Sequence, residues 1–369
     1  MLTDTLTVPR IVWNYRPMNI SRRAGIFAAS SVILALSLTA CGASSNSADP
    51  SADTSAKAAE DFTPVTIENI YGETTIEEVP ERIATISWVN ADTLLALDTV
   101  PVGMDTDTYG MNENNSTAWK DAALQEQGAA IGSENAPVQY KVGDDIDYTG
   151  IAASKPDVIF APYSGLKQEQ YEKLQEIAPV VGPIEPNYLT SWEQATEAAG
   201  QMLGKEEEAD ALIEEIEGKL AKVGEDNPVL KDTTFIAADL SAPDTAYVYS
   251  EGDTRPRFLS ALGMTQAEFV QENAAKDTFF FTVSPEKVNE WDSDIVFASA
   301  VAGNTMDDII KGQPLYGQIP AAKNDAVALP GTDEATLAIS AASPLSIEWA
   351  LENVVPGIVK AAENAAAAK

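Results

Sequence analysis

Arg255 and Arg257 flank Pro256 a few residues after the run Tyr247-Val248-Tyr249. A guanidinium forks two hydrogen bonds to a carboxylate or catecholate oxygen, and it stays charged at any physiological pH. A phenol or indole offers a broad face to a planar, partly apolar ligand. Trp88, Tyr109 and Tyr163 supply further faces of that kind, and each follows a short apolar run. Downstream of residue 41 the only arginines are Arg82, Arg255 and Arg257, so any anion site built on arginine draws on these three. Arg82 precedes a strand, at the end of a sheet away from a cleft, and reads as structural. The competing fates are plain: core packing for the aromatics, and pairing with Glu251 and Asp253 for the two arginines.

The absences narrow the chemistry further. The chain has no histidine, which excludes Ser-His-Asp and Cys-His catalysis, histidine-rich metal sites and histidine-ligated haem. No glycine-rich nucleotide loop appears, and no metal-ligand cluster has suitable spacing. Carboxylate pairs such as Asp144-Asp145 and Asp307-Asp308 follow from the acidity of the whole chain. Four arginines and one aspartate precede residue 41, and the remainder carries 19 basic against 56 acidic residues, a formal charge of −37. Phosphate binding needs a clustered basic surface, so nucleic acid is not a partner.

Cys41 is the only cysteine and forms no intrachain disulfide. Arg22-Arg23 and an apolar run of about fifteen residues, Ala24 to Leu38, precede it. That run has the length of a signal-peptide core and is short for a membrane span. Leu38-Thr39-Ala40-Cys41 resembles the bacterial lipobox, which implies cleavage before the cysteine and a diacylglycerol on its sulfur. Ser21-Arg22-Arg23 hints at twin-arginine export, and Met18 is an alternative start. Residues 42–61 are mostly Ala, Ser, Asp and Asn, the composition of a flexible tether. The expected layout is a signal peptide over 1–40, a lipidated cysteine and tether over 41–61, and a folded body from Phe62.

The elements that position the aromatics and arginines alternate strand and helix, the mark of an α/β protein. Strands are expected at 83–87, 102–104, 157–161 and 180–182, with helices over 90–97 and 167–177. A second set has strands at 234–238, 246–249, 294–298 and 326–329. Its helices are expected over 257–262, 285–291, 307–311 and 346–360, while Phe279-Phe280-Phe281 reads mainly as core. Between the sets, Trp192, Ala195, Ala199, Met202 and Leu203 form one apolar stripe. Ala209, Leu212, Ile213, Ile216, Leu220 and Val223 form another, spaced by three and four. Gly204 separates the two stripes. Glu206 to Val223 spans roughly 27 Å as a helix, long enough to be a stalk between two α/β lobes.

The order of these segments resembles the iron-siderophore and cobalamin solute-binding family. Val79-Pro80-Glu81-Arg82-Ile83-Ala84-Thr85-Ile86 is similar to its lead-in and first strand, and Ala91 to Leu97 followed by Pro101-Val102-Gly103 to its first helix and second strand. Gly150 to Ile159, with Lys155-Pro156-Asp157, is similar to its most specific motif, and Tyr171 to Val181 extends the match. The second half matches more loosely, at 255–263 and 284–296.

The resemblance implies two Rossmann-like lobes, over 62–190 and 225–369, joined by a helical linker region over 191–224, with the ligand buried between them. It implies a monomeric, lipid-anchored protein on the outer face of the membrane. That protein has no catalytic activity and no intrinsic cofactor; it captures a ferric siderophore and hands it to an ABC importer permease. Cobalamin and haem stand as alternative ligands, and a surface enzyme or adhesion module as alternative classes. Trp88, Tyr109, Tyr163, Tyr249, Arg255 and Arg257 are the expected ligand contacts. Relatives present one glutamate on each lobe to the permease. Glu286 occupies that position in the second lobe; Thr149 stands there in the first, with Asp145 or Asp147 as substitute.

Overall fold

Ile83-Ala84-Thr85, Val158-Ile159-Phe160 and Val180-Val181 are unbroken runs of residues suited to burial on both faces, as an inner parallel sheet requires. The computed structural model describes residues 62–142, 145–275 and 278–369. Cys41, the leader and the tether lie outside the described residues. The chain first forms an antiparallel hairpin, β1 (Val65–Asn69) and β2 (Gly72–Ile76), which the apolar pattern did not signal. Its strands alternate exposed Thr and Glu with few apolar residues. The Ile70 amide donates to the Pro183 carbonyl at 2.9 Å, so the hairpin covers one edge of the first sheet.

That sheet contains β3 (Ile83–Thr85), β4 (Gly103–Asp105), β5 (Val138–Tyr140), β6 (Val158–Phe160) and β7 (Val180–Val181). All are parallel, in the order β5-β4-β3-β6-β7. Helices α1 (Asn90–Ala96), α2 (Ala118–Glu126), α3 (Tyr148–Ala153) and α4 (Gln168–Gln175) provide the crossovers. The order reverses between β3 and β6, which opens a crevice at their carboxyl ends. At the opposite end, Arg82 donates through Nε to the Lys155 carbonyl at 2.7 Å, and its amide donates to Asp157 at 3.0 Å. Its role there is structural.

Helix α5 (Trp192–Leu203) ends on Gly204 in the left-handed region (φ 64°), and α6 (Glu206–Asp226) starts two residues later. Helix α5 belongs to the first lobe, where Ala198, Ala199, Met202 and Leu203 sit in its core. Helix α6 belongs to both lobes. Ala209 is in the first core, Ile216 and Leu220 are in the second, and Leu212 packs against each. Burying one such aliphatic side chain contributes about 1.5–3 kcal/mol, so α6 is fixed at both ends.

The second sheet contains β8 (Thr234–Asp239), β9 (Ala246–Tyr249), β11 (Phe280–Val283), β12 (Ile295–Ser299) and β13 (Val327–Ala328), in the order β11-β9-β8-β12-β13. The short β10 (Thr265–Gln266) pairs with β8. Helices α7 (Thr254–Ala261), α8 (Glu268–Asn273), α9 (Met306–Gly312) and α10 (Asp333–Ser340) surround it. Segment Pro285–Glu290 is 3₁₀ rather than α-helical. The last apolar stripe is two helices, α11 (Pro344–Asn353) and α12 (Val355–Ala367), because Pro356 sits in the first turn of the second. Helix α11 packs on the first lobe, with Trp349 against Trp119 at a centroid distance of 5.4 Å. Ser343, which caps α11, donates to Asp92 of α1 at 2.8 Å. The protein is thus a two-lobe α/β fold braced by α6 and by α11.

Candidate functional site

The reversal between β3 and β6 puts two turns side by side. The first is Ser87-Trp88, where Ser87 is buried with φ 79°, a conformation that costs a non-glycine residue about 1–3 kcal/mol. The second is Pro162-Tyr163-Ser164. Asn90, fully buried on α1, ties them together. Its amide donates to the carbonyls of Ile86 and Tyr163, the latter at 3.0 Å, and its side-chain oxygen accepts from the Tyr163 amide at 3.3 Å. Lys120 of α2 fixes the first turn from behind, donating to the Trp88 carbonyl at 3.2 Å.

Tyr188 completes the first-lobe face. It stacks on Trp88 with centroids 5.7 Å apart and planes at 23°, and lies tilted against Tyr163 at 5.6 Å. Gly165 makes room for it, since a Cβ there would stand 2.5 Å from the Tyr188 ring. Asn187 and Tyr188 both have positive φ, 55° and 63°. No apolar run or motif marked Tyr188, Asn90 or Lys120 in advance; only the contacts across the crevice reveal them.

The second lobe presents Tyr249 at the end of β9 and Arg255 in the first turn of α7. The guanidinium lies 3.5 Å from the centroid of the Tyr249 ring and 3.4 Å from the Asp253 carboxylate. Asp253 caps α7 by accepting from the Arg255 amide at 2.9 Å. Arg255 Nε is buried and has no hydrogen-bond partner among the described residues. Burial pushes the Tyr249 phenol up to about 12, with Arg255 opposing. Burial likewise raises the Tyr163 phenol, which also feels Asp253, Arg255 and Arg257 across the lobe boundary.

Tyr109 is 40 % exposed, beside Asp333 and Thr336 of α10. Its loop spans the lobes: the Ala118 amide donates to Glu334 at 2.8 Å. Trp88, Tyr163 and Tyr188 thus meet in the first lobe and Tyr249 and Arg255 in the second, with Tyr163 and Tyr249 nearly buried in one core cluster and Tyr109 more exposed. Arg257 lies about 200° round α7 from Arg255. It lines a 280 Å³ cavity with Trp192, Leu220, Phe258 and Ile347, on the side of the linker helix. Neither lobe face forms a metal centre: among the described residues no three carboxylate or thiol groups converge as ligands.

Of the two docking positions, Glu286 is exposed in the first turn of its 3₁₀ segment. Asp147 is also exposed, but its carboxylate accepts from the Gly150 amide at 2.9 Å as the cap of α3.

A sequence profile described as "Periplasmic binding protein" matches residues 83–332. The chain is 30% identical over 159 residues to the Fe(3+) dicitrate-binding periplasmic protein FecB of Escherichia coli. That match covers 42% of this chain and 48% of FecB, so it spans about half the length of that relative. It is 24% identical over 269 residues to the Fe(3+)-citrate-binding protein YfmC of Bacillus subtilis, covering 69% of this chain and 75% of YfmC. Among solved structures, PiaA of Streptococcus pneumoniae in complex with ferrichrome superposes with a TM-score of 0.73 and 29% identity. It covers 81% of this chain and 99% of PiaA.

Proposed function

Because the chain belongs to the periplasmic binding protein family, we propose that it captures a ferric siderophore between its lobes and delivers it to an ABC importer. It is a binding component and not an enzyme, and the ligand is cargo rather than cofactor. The observation that supports this reading is the nearness of the Trp88–Tyr188–Tyr163 cluster to the Tyr249–Arg255 pair, Tyr163 sharing a core cluster with Tyr249 and feeling the Arg255 charge. Flat aromatic faces suit a partly apolar disc, and the guanidinium meets chelate oxygens that carry negative charge. In a body this acidic, Arg255 offsets the long-range repulsion of an anionic chelate.

Titration of a panel of ferric chelates by tryptophan fluorescence tests this reading. Arg255→Ala is expected to weaken binding of an anionic chelate about ten- to a hundredfold, the loss of a charge-assisted contact. Unchanged affinity would remove Arg255 from the site. No binding of any iron chelate by the parent protein would sink the function itself.

The same reading includes anchoring and delivery. Cys41 carries the lipid, so Cys41→Ala releases the protein from the membrane fraction; retention would argue against lipidation. Glu286 and Asp147 meet the permease, one on each lobe. Glu286→Arg is expected to lower iron uptake with chelate affinity intact, and normal uptake would take Glu286 out of that interface.

A further inference from the structure

Asp105 ends β4 and is 4 % exposed, yet its only hydrogen-bond donor among the described residues is its own backbone amide. It lines a chamber of about 60 Å³ that Trp88 and Tyr188 also line. Ser87 and Ser164 line the same chamber. The Ser164 hydroxyl donates to the Ala161 carbonyl at 2.8 Å, which leaves its lone pairs free to accept. Behind Asp105, Asp92 and Asp107 share a single buried amine, that of Lys120. The three buried aspartates thus exceed the local lysine by two. Tyr140, also close to Asp105, is kept neutral by burial.

We infer that this chamber is a subsite for a protonated amine on the periphery of the iron chelate, received by the Asp105 carboxylate and the Ser164 hydroxyl. The inference rests on the chelate reading above. An ammonium has three donors and no acceptor, which matches the acceptors that Asp105 and Ser164 present to the chamber. Its size also fits: about 10–15 Å³ of such space admits one water, so the chamber takes a small polar head on a short stem. With Arg255 across the crevice, the site has a cationic pole and an anionic pole. The amine at one and the chelate oxygens at the other fix which way round the ligand enters. Burial pushes the Asp105 carboxyl up to about 7, so at neutral pH it is part protonated when empty. An arriving ammonium favours the carboxylate and expels that proton.

The probes are ferrioxamine B, which carries one peripheral ammonium, and its N-acetyl derivative, which is otherwise the same chelate. The parent protein is expected to prefer ferrioxamine B about ten- to a hundredfold. Asp105→Asn should erase the preference while leaving affinity for the acetylated probe unchanged, which also shows that the variant is folded. Calorimetry of the parent in two buffers of different ionisation enthalpy, at neutral pH, should register proton release with ferrioxamine B alone. Equal affinity for both probes, or a preference that survives Asp105→Asn, overturns the subsite and leaves the chelate reading standing. So does binding of ferric citrate with neither ferrioxamine bound. Binding of no chelate at all removes the function first and the subsite with it.

Discussion

Lys120→Met is expected to destabilise the protein by about 3–5 kcal/mol, the cost of leaving a buried charge without its partner. Lys120 is 2 % exposed, 2.8 Å from Asp107 and 3.6 Å from Asp92. Methionine fills the same space but leaves those carboxylates facing each other with no counter-charge. One Asp107 oxygen and one Asp92 oxygen already lack hydrogen-bond partners, so the lysine is their main compensation. Trp88 is released as well, because its carbonyl loses the amine. Urea unfolding should show a lower midpoint with an unchanged slope, and chelate affinity should fall with it. A loss under 1 kcal/mol would mean that the lysine is not the keystone of this cluster.

The second large effect is a dependence of stability on pH. Asp105 titrates at about 7 in the folded protein, raised above its ordinary 3.8 mainly by burial, with Lys120 opposing and Asp107 and Asp92 adding. A carboxyl raised in the folded state stays protonated there while its unfolded counterpart is ionised. The folded state therefore holds more protons between about pH 4 and pH 7, and stability falls as pH rises through that window. At about 1.4 kcal/mol per unit, the shift corresponds to roughly 4 kcal/mol, complete above pH 7. Asp92, Asp107 and Asp253 shift in the same direction, each chiefly by burial. The protein should thus be more stable at pH 5 than at pH 8, and Asp105→Asn should flatten much of the difference. A parent more stable at pH 8 would contradict this electrostatic picture.

Strands β3, β4, β6 to β9, β12 and β13 were legible because they are short apolar runs that stand out in an acidic chain; β5, β10 and β11 were not, being short or partly exposed. The place of Trp88 and Tyr163 beside the strand ends was legible for a related reason: they directly follow such runs. Tyr188 was not, because its place depends on two left-handed residues and on the missing Cβ of Gly165, neither of which has a periodic signature. Asn90 read as an ordinary helix residue, and Lys120 lay in a segment with no expected element. Their partners, Tyr163 and Asp92, lie 73 and 28 positions away, and only the packed fold joins them. The β1–β2 hairpin escaped because its strands are mostly polar and lean on β7. The split between α11 and α12 was available in principle from Pro356, since an interior proline ends a helical run.

Helix α6 contributes side chains to both cores, and α11 ties the second lobe to Asp92 and Trp119 of the first. Such a double brace opposes an open form, and the less the two lobes part the less a rare binding-competent population would tax affinity. The same stiffness has a cost at the membrane. A permease can prefer the loaded protein only if it senses a difference between the two states, and a braced frame offers almost none in its outline. On the delivery role proposed above, empty and loaded copies would compete for the same docking site, and uptake would depend on the fraction of copies that carry ligand.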